Sequence, residues 1–460
     1  MSAKRIIDCL QANAQRCPDK VFIYDCEGTL RLTYAEFWQQ VQLRAASLTE
    51  GGWRQGDAMC IRSTQSASYL VLYFACHLLG IIIVPLEHDL PEARVQDVNV
   101  RVRVIQKQLP GHVFPSSVSD VLFTSGTTGQ PKGVVVSHQA MMADAVNLKV
   151  AQGFHHDIVF IINGPLNHAG CWTKVLPVVM EGGSLYLMPG MKNLDSFFTA
   201  LDFIRRLPVS ADTHRQPTAA VFLVPASIRM LLQFSQDRLA QYADVIEFIE
   251  TGAAHIPHSD MLRLCELLPD SRLFNTYASS ETGVVCTYNF NDGKCLPGCV
   301  GHPMKLARVS LRDDVLVCRG DALMMGYLGQ TDFSQPSLKE IVTSDLGRFD
   351  EEGRLYLVGR QNDVINVGGL KVSPAEVEEE ALDIDGIADC ICVADSHSLM
   401  GSVPKLLVVM EPGVLFDKRA IAAHLRSALE AYKVPAKYEQ VDHIERNANG
   451  KLNRKFYAAQ

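Results

Sequence analysis

The chain has no dense block of lysine and arginine, and its net charge is −8, so neither nucleic acid nor an anionic membrane is the expected partner. The opening residues carry no secretory apolar region. Thirteen cysteines are scattered without a disulfide or zinc framework. Cys390-Ile-Cys392 reads as alternation along a strand. His255-Ile-Pro-His258 lacks the cysteine or carboxylate partners that zinc requires and reads as loop histidines. Free thiols in this number fit a reducing cytoplasm. Internal repeats and low-complexity tracts are missing as well. Residues 69–86 approach the length of a membrane span, but His77 and Gly80 interrupt them and Pro85 and Glu87 close them. They are expected as a buried helix over 68–79, a glycine turn and a buried strand over 81–84.

What is present is ordinary for a soluble enzyme: 460 residues, 47% hydrophobic and 20% charged, enough for two or three domains. Strand-length apolar runs at 158–162, 184–188, 219–224 and 245–250 alternate with helical stretches at 194–207, 227–234 and 259–267. That alternation predicts an α/β fold with substantial parallel sheet. The pattern changes near residue 360. Short strands at 315–318 and 353–358 precede it. An acidic helix over 374–382, with Ser373 as its N-cap, follows it. Strands at 388–394 and 406–410, a helix over 417–429 and a polar tail complete the chain. A boundary is expected at 360–363, leaving a C-terminal domain of about 100 residues.

Two strings carry chemistry. The first is Thr124, Ser125, Gly126, Thr127, Thr128, Gly129, Gln130, Pro131, Lys132 and Gly133, set between two short apolar strands. Its glycines allow tight turns and close backbone approach. Its hydroxyls, exposed N–H groups and lysine suit an oxyanion such as phosphate. The spacing is not that of the Walker A loop. The second is Asn275-Thr-Tyr277-Ala278-Ser-Ser280-Glu281-Thr-Gly283. It offers an aromatic ring for a base, a hydroxyl for a phosphate and a carboxylate for Mg²⁺.

Together the strings resemble the adenylate-forming superfamily, which holds AMP-dependent acyl- and aryl-CoA synthetases, adenylation domains of peptide synthetases and luciferases. The resemblance extends over nearly the whole chain, with six elements in order. By it, residues 124–129 and Lys132 form the phosphate loop. Tyr277 lies against adenine, Ser280 touches the α-phosphate and Glu281 coordinates Mg²⁺. Ala278 and Ser280 replace the usual Gly and Thr, and the Ala278 methyl would narrow the acyl pocket. Thr251, Gly252, Ala253 and Ala254 resemble the small-residue loop beside adenine and the acyl chain. Pro165-Leu-Asn-His168-Ala-Gly170 resembles the element that sets a histidine between acyl pocket and nucleotide. Asp345 and Arg360, within the run 344–360, resemble the ribose-binding segment; a carboxylate accepts from two vicinal hydroxyls, and a guanidinium supplies a fixed fork of donors. Asn449-Gly-Lys451-Leu-Asn-Arg454 resembles the closing segment with the adenylation lysine.

The fold implied is a large N-terminal domain of layered αβα sheets plus a distorted β-barrel (1–360), a hinge at 361–363 and a small mobile α+β C-terminal domain (364–460). Asn362 is the hinge residue by position, where Asp or Lys is more usual. Asn366 likewise replaces a frequently basic residue, a departure that bears on the second half-reaction. Gly368 and Gly369 would line the thiol's approach after the small domain turns.

The activity implied is that of an acid–thiol ligase using ATP, Mg²⁺ and coenzyme A. It would make acyl-AMP with release of pyrophosphate, then the thioester. Lys451, His168 and Glu281 are the expected catalytic groups. His168, Cys171, Trp172, Val224 and Ala278 are expected in a mostly apolar acyl pocket that suits a medium aliphatic or aromatic acid. The alternative is a stand-alone adenylation enzyme loading a carrier-protein phosphopantetheine. No Asp stands near Asn167 and His168 to hold an α-amine, which disfavours an amino acid substrate. A regulatory nucleotide-binding protein with decayed activity fits poorly with Tyr277, Glu281, Asp345, Arg360 and Lys451 all in place. The N-terminal region is shorter than in many relatives, through a smaller lobe or an altered oligomer contact; a homodimer is one such assembly.

Overall fold

The computed structural model describes residues 5–26, 29–124, 132–191, 193–330, 333, 335, 337–397, 399–446 and 452–458. Among them, thirteen strands form one continuous sheet. Its centre is parallel. Val21–Asp25, Ser184–Leu187, Ile158–Ile162, Thr218–Phe222, Ile246–Gly252 and Arg272–Ser279 lie side by side in that order. Ile158–Ile162 is buried at every position, because helices cover both faces of a parallel sheet. Beyond Arg272–Ser279 the sheet continues antiparallel through Gly283–Asn289, Cys299–Pro303, Leu355–Arg360, Ile341–Phe349, Val315–Gly320 and Ala307–Arg312. This run occupies the place where a distorted barrel was expected.

A second sheet of five strands holds Ala58–Arg62, Ile82–Leu86 and Val118–Thr124 in parallel, then Lys132–Ser137 and Gly326–Tyr327 antiparallel. The apolar stretch anticipated at 69–86 is the helix Ala67–Leu79 and the strand Ile82–Leu86. Ser66 caps the helix by accepting from Tyr69 N, and Gly80 ends it at φ +72°, a conformation costly for any side chain. The largest core joins this helix to Tyr34–Glu50, His138–Gln152 and Ala169–Glu181, between the two sheets.

The third sheet contains Ile365–Val367, Leu370–Val372, Ile387–His397 and Gly401–Met410, with its own core over Pro374–Leu382 and Lys418–Ala428. A short turn, Gln361–Asp363, leads into it. Cys390 and Cys392 pack in that core while Ile391 faces a different cluster, as strand alternation requires. Two expectations need correction. The tail is not merely polar: Lys437–Gln440 pairs parallel with Gly401–Met410, and Arg454–Ala458 is helical. Ser373 does stand at the N-cap of Pro374–Leu382, but its hydroxyl donates to Val358 O at 2.6 Å instead of capping. No disulfide forms among the described cysteines, and no helix among the described residues is long and apolar enough to cross a membrane.

Candidate active site

Parallel α/β sheets present their loops at the carboxyl ends of the strands, and the chemistry-bearing residues gather there. Arg272–Ser279 runs directly into Ser280 and Glu281. A register shift between Tyr277 and Ala278 turns the strand end, as bulges do beside active sites. Tyr277 is not an exposed ring. It is 7% exposed and packs against Val285, Val300, Leu316 and Leu355. Its hydroxyl donates to Asp345 Oδ2 at 2.6 Å. Burial, followed by the Asp345 charge, raises the phenol above its usual range.

Asp345 lies opposite Arg360 across paired strands, and Arg360 Nε donates to Asp345 Oδ1 at 2.9 Å. The three residues read separately from the sequence as base, ribose and donor groups are therefore one connected set. Each oxygen of Asp345 is oriented by one donor and keeps a further lone pair for a ligand hydroxyl.

Glu281 belongs to a second set. Tyr327 OH donates to Glu281 Oε1 at 3.1 Å, and Lys132 Nζ sits 5.0 Å from the Tyr327 ring centroid, within cation–π range. Burial and the Glu281 charge push the Tyr327 hydroxyl up to about 12, so it stays a donor at neutral pH. Tyr327 was missed in the sequence. It reaches this position because Gly326–Tyr327 pairs with Val134 and Val135. Thr124 pairs with Lys132 at the ends of the two strands that flank the glycine-rich string. Ser125, Gly126, Thr127, Thr128 and Gly129 lie outside the described residues, as does Lys451.

Of the residues expected around the acyl group, Val224 lines one cavity, Trp172 and Ala278 line another, and His168 and Cys171 line neither. Val224, Ala253 and Ala254 line a cleft of about 210 Å³, together with Arg229, His255, Leu382, Ala388, Asp389 and Arg446. Ala253 adopts φ +67° immediately after the strand Ile246–Gly252. At Gly252 a side chain is excluded, since a Cβ would lie 2.6 Å from Thr276 O. Trp172, Ala278 and Ser280 line a smaller cavity of about 30 Å³ with Asp120 and Asp144. Leu122, Val136, Met141, Leu176 and Val284 also line it, so the lining is mostly apolar with two carboxyls. Asp144 accepts from Val284 N at 2.8 Å, and burial pushes its carboxyl up to about 7.

Cys171 lines neither cavity; its buried thiol is pushed up to about 12 by desolvation. His168 caps the helix Ala169–Glu181 by position, with Nε2 3.9 Å from Glu87 Oε1. Beneath that helix Lys174 and Glu250, both buried, stand 2.8 Å apart and tie it to the strand Ile246–Gly252.

Gly368 and Gly369 form the turn between Ile365–Val367 and Leu370–Val372, at φ +58° and +96°. Neither borders either cavity. Asn362 is the middle residue of the exposed turn Gln361–Asp363.

Residues 10–106 and 101–328 match the family model described as AMP-binding enzyme, and residues 376–451 match that of the AMP-binding enzyme C-terminal domain. A propanoyl:CoA ligase of Mycobacterium tuberculosis, whose acyl group carries a methyl-dioxo-octahydroindenyl ring, is 29% identical over 74% of this chain and 66% of its own length. A 2-succinylbenzoate–CoA ligase of Oceanobacillus iheyensis is 24% identical over 97% of each chain. The crystal structure of ATP-bound MatB from Rhodopseudomonas palustris superposes with a TM-score of 0.83 at 21% identity, covering 99% of this chain and 98% of the other.

Proposed function

The chain belongs to the AMP-binding enzyme family, and from that premise we propose that it is an AMP-forming acid–thiol ligase that activates a small carboxylic acid with ATP and passes the acyl group to coenzyme A. The observation that carries the reading is the connected set Tyr277–Asp345–Arg360, with Glu281 two residues past the end of the strand that holds Tyr277. A carboxylate oriented by a phenol and a guanidinium is built to accept from vicinal hydroxyls, as a ribose presents.

In the first step a substrate carboxylate oxygen bonds to the α-phosphorus of ATP, the bond to the β-phosphate bridging oxygen breaks, and pyrophosphate leaves. Asp345 and Arg360 hold the ribose; Ser280 and Lys132 hold phosphate oxygens. Lys451 brings a positive charge to the transferred phosphoryl group. Glu281 fits Mg²⁺: one carboxylate suffices, because that ion takes its other oxygens from water and substrate phosphates. When bound, the ion would offset repulsion between carboxylate and phosphate.

In the second step the coenzyme A thiolate bonds to the acyl carbon, the bond to the AMP oxygen breaks, and AMP leaves. Residues 1–360 act as the adenylation domain, 361–363 as hinge and 364–460 as the domain that moves. The cleft at Val224, Ala253 and Ala254, together with Trp172 and Ala278, takes the acyl group. A medium aliphatic or aromatic acid suits it, and Asp120 and Asp144 favour one carrying a hydrogen-bond donor at its far end. The relatives are CoA ligases, so the carrier-protein alternative is not favoured.

The test is pyrophosphate release from ATP and Mg²⁺ across a panel of carboxylic acids, with and without coenzyme A. Turnover with one acid class that requires coenzyme A supports the reading and identifies the substrate. Acyl-AMP that accumulates despite coenzyme A would transfer the assignment to a carrier protein. Silence across the panel, with no ATP binding by calorimetry, would overturn it.

A further inference from the structure

We propose that Tyr327 is a positioning residue that keeps two opposite charges apart: its ring holds the Lys132 ammonium and its hydroxyl holds the Glu281 carboxylate, so that neither charge is neutralised by the other before ATP and Mg²⁺ bind. The inference rests on the ligase reading above for what the two charges hold, while the separation itself stands on the geometry.

Lys132 opens the strand Lys132–Ser137 of the five-stranded sheet, and Glu281 stands two residues past Arg272–Ser279 of the thirteen-stranded one. Both side chains are half-buried, where an ion pair is screened less than on an open surface. A lysine is a compact point charge on a flexible four-carbon stem, free to turn towards a nearby carboxylate. Yet these two described residues form no ion pair with each other; both meet Tyr327 instead. The hydroxyl donates to Glu281 Oε1 at 3.1 Å, and the ammonium lies 5.0 Å from the ring centroid. The contacts use different parts of one side chain, the negative face of the ring for the cation and the hydroxyl hydrogen for the anion. Neither contact is an ion pair. Each therefore yields to a stronger partner, a phosphate oxygen for Lys132 and a divalent cation for Glu281.

The main chain places the ring without help from the side chain. Met324 N donates to Glu281 O at 2.8 Å, and Leu328 N donates to Gly133 O at 2.7 Å. Between them Gly326 and Tyr327 pair with Val135 and Val134. Residues 324–328 thus form a strap bonded at one end to Glu281 and at the other to the strand that Lys132 opens. A substitution at Tyr327 leaves those bonds in place and changes only what stands between the charges. Without the ring and the hydroxyl, Lys132 and Glu281 would pair, and every ATP that binds would first have to break that pair.

The test measures ATP binding by calorimetry, in excess EDTA and with Mg²⁺, for wild type, Tyr327→Phe and Tyr327→Leu. Tyr327→Phe keeps the ring, so its affinity for ATP in EDTA should stay within about twofold of wild type. Its affinity for ATP with Mg²⁺ should fall about fivefold, the scale of one hydrogen bond. Tyr327→Leu releases both charges, and its affinity for ATP in EDTA should fall about tenfold, the scale of one charged hydrogen bond to phosphate. Adding Glu281→Gln should raise affinity in EDTA more in Tyr327→Leu than in wild type, because only there does it free the lysine. Equal affinity of wild type and Tyr327→Leu, equal loss in the two Tyr327 variants, or an equal effect of Glu281→Gln in both backgrounds overturns the proposal. A melting cycle provides the readout that needs no ligand. The Tm shifts of Lys132→Met and Glu281→Gln should add in wild type and fail to add in Tyr327→Leu. Additive shifts in both backgrounds overturn the separation. If wild type binds no ATP, that cycle still decides the separation, and the ligase reading falls by itself.

Discussion

Asp144 shows how a single residue can carry a cost that depends on pH. Its carboxyl is buried between Val284 N and the Trp172 cavity, and burial lifts it from the usual carboxylate value to about 7; the Val284 N–H and the Lys174 charge offset this only in part. A folded-state value above the unfolded one means that the fold favours the protonated form. The stability it contributes is complete below about pH 4 and is lost as pH rises towards 7. Asp144→Asn keeps an acceptor for Val284 N and removes the charge. It should therefore gain on the order of 2 kcal/mol over wild type between pH 5 and pH 8. Calorimetric melting at both pH values measures this, and parallel pH profiles for the two proteins would refute the assignment. Lys451 is proposed to serve one step of the reaction. Lys451→Ala should lower acyl-AMP formation by about 10²-fold or more, the scale of losing one group aimed at developing charge. It should still convert supplied acyl-AMP to thioester. Equal loss of both half-reactions would remove the lysine from that role.

Among elements, Cys299–Pro303 joins the two halves of the long sheet, pairing with Gly283–Asn289 on one side and Leu355–Arg360 on the other. Gly301 adopts φ +75° there, and a methyl group would run into the Thr287 carbonyl. Gly301→Ala combines backbone strain with that clash and should cost roughly 2–4 kcal/mol, read as a lower denaturant midpoint. An unchanged midpoint would mean that the two sheet halves adjust independently. Elements like this one mark where sequence reading succeeds and where it stops. The parallel strands were legible because burial on both faces leaves a continuous apolar run, as at Ile158–Ile162. Tyr277 and Glu281 could be read together because they fall in one contiguous string at a strand end. Tyr327 was not legible, since its place beside Glu281 comes from a residue far away in sequence. Lys437–Gln440 escaped for a related reason. Its charged side chains read as tail, and only long-range pairing with Gly401–Met410 makes it a strand.

At the scale of the whole molecule, what matters is how the third sheet is attached. Gln361–Asp363 is an exposed turn with a β-conformation residue, Arg360, before it and another, Val364, after it. Asp363 is restrained by Arg454 Nε at 3.3 Å, and Arg454 also holds Glu378 Oε2 at 2.7 Å, so the small domain is rigid up to its first residues. On the other side Arg360 is tied to Asp345. The proposed rotation of residues 364–460 would thereby be confined to residues 361 and 362. Asn362→Pro fixes one backbone angle of the second at about −65°, within the range of the present turn. It also pushes Gln361 towards extended backbone, so total activity should decline somewhat, and the decisive quantity is the ratio of the two half-reactions. Thioester formation from acyl-AMP should fall about tenfold more than acyl-AMP formation, because the variant can hold the present orientation but not turn from it. Gln361→Pro is the matched control. Proline is tolerated at the first position of a turn, and Arg360 before it is already extended at ψ 137°. It should leave the ratio near wild type. If the two prolines shift the ratio equally, the pivot is spread along the connection; if neither shifts it, the small domain does not turn about Asn362.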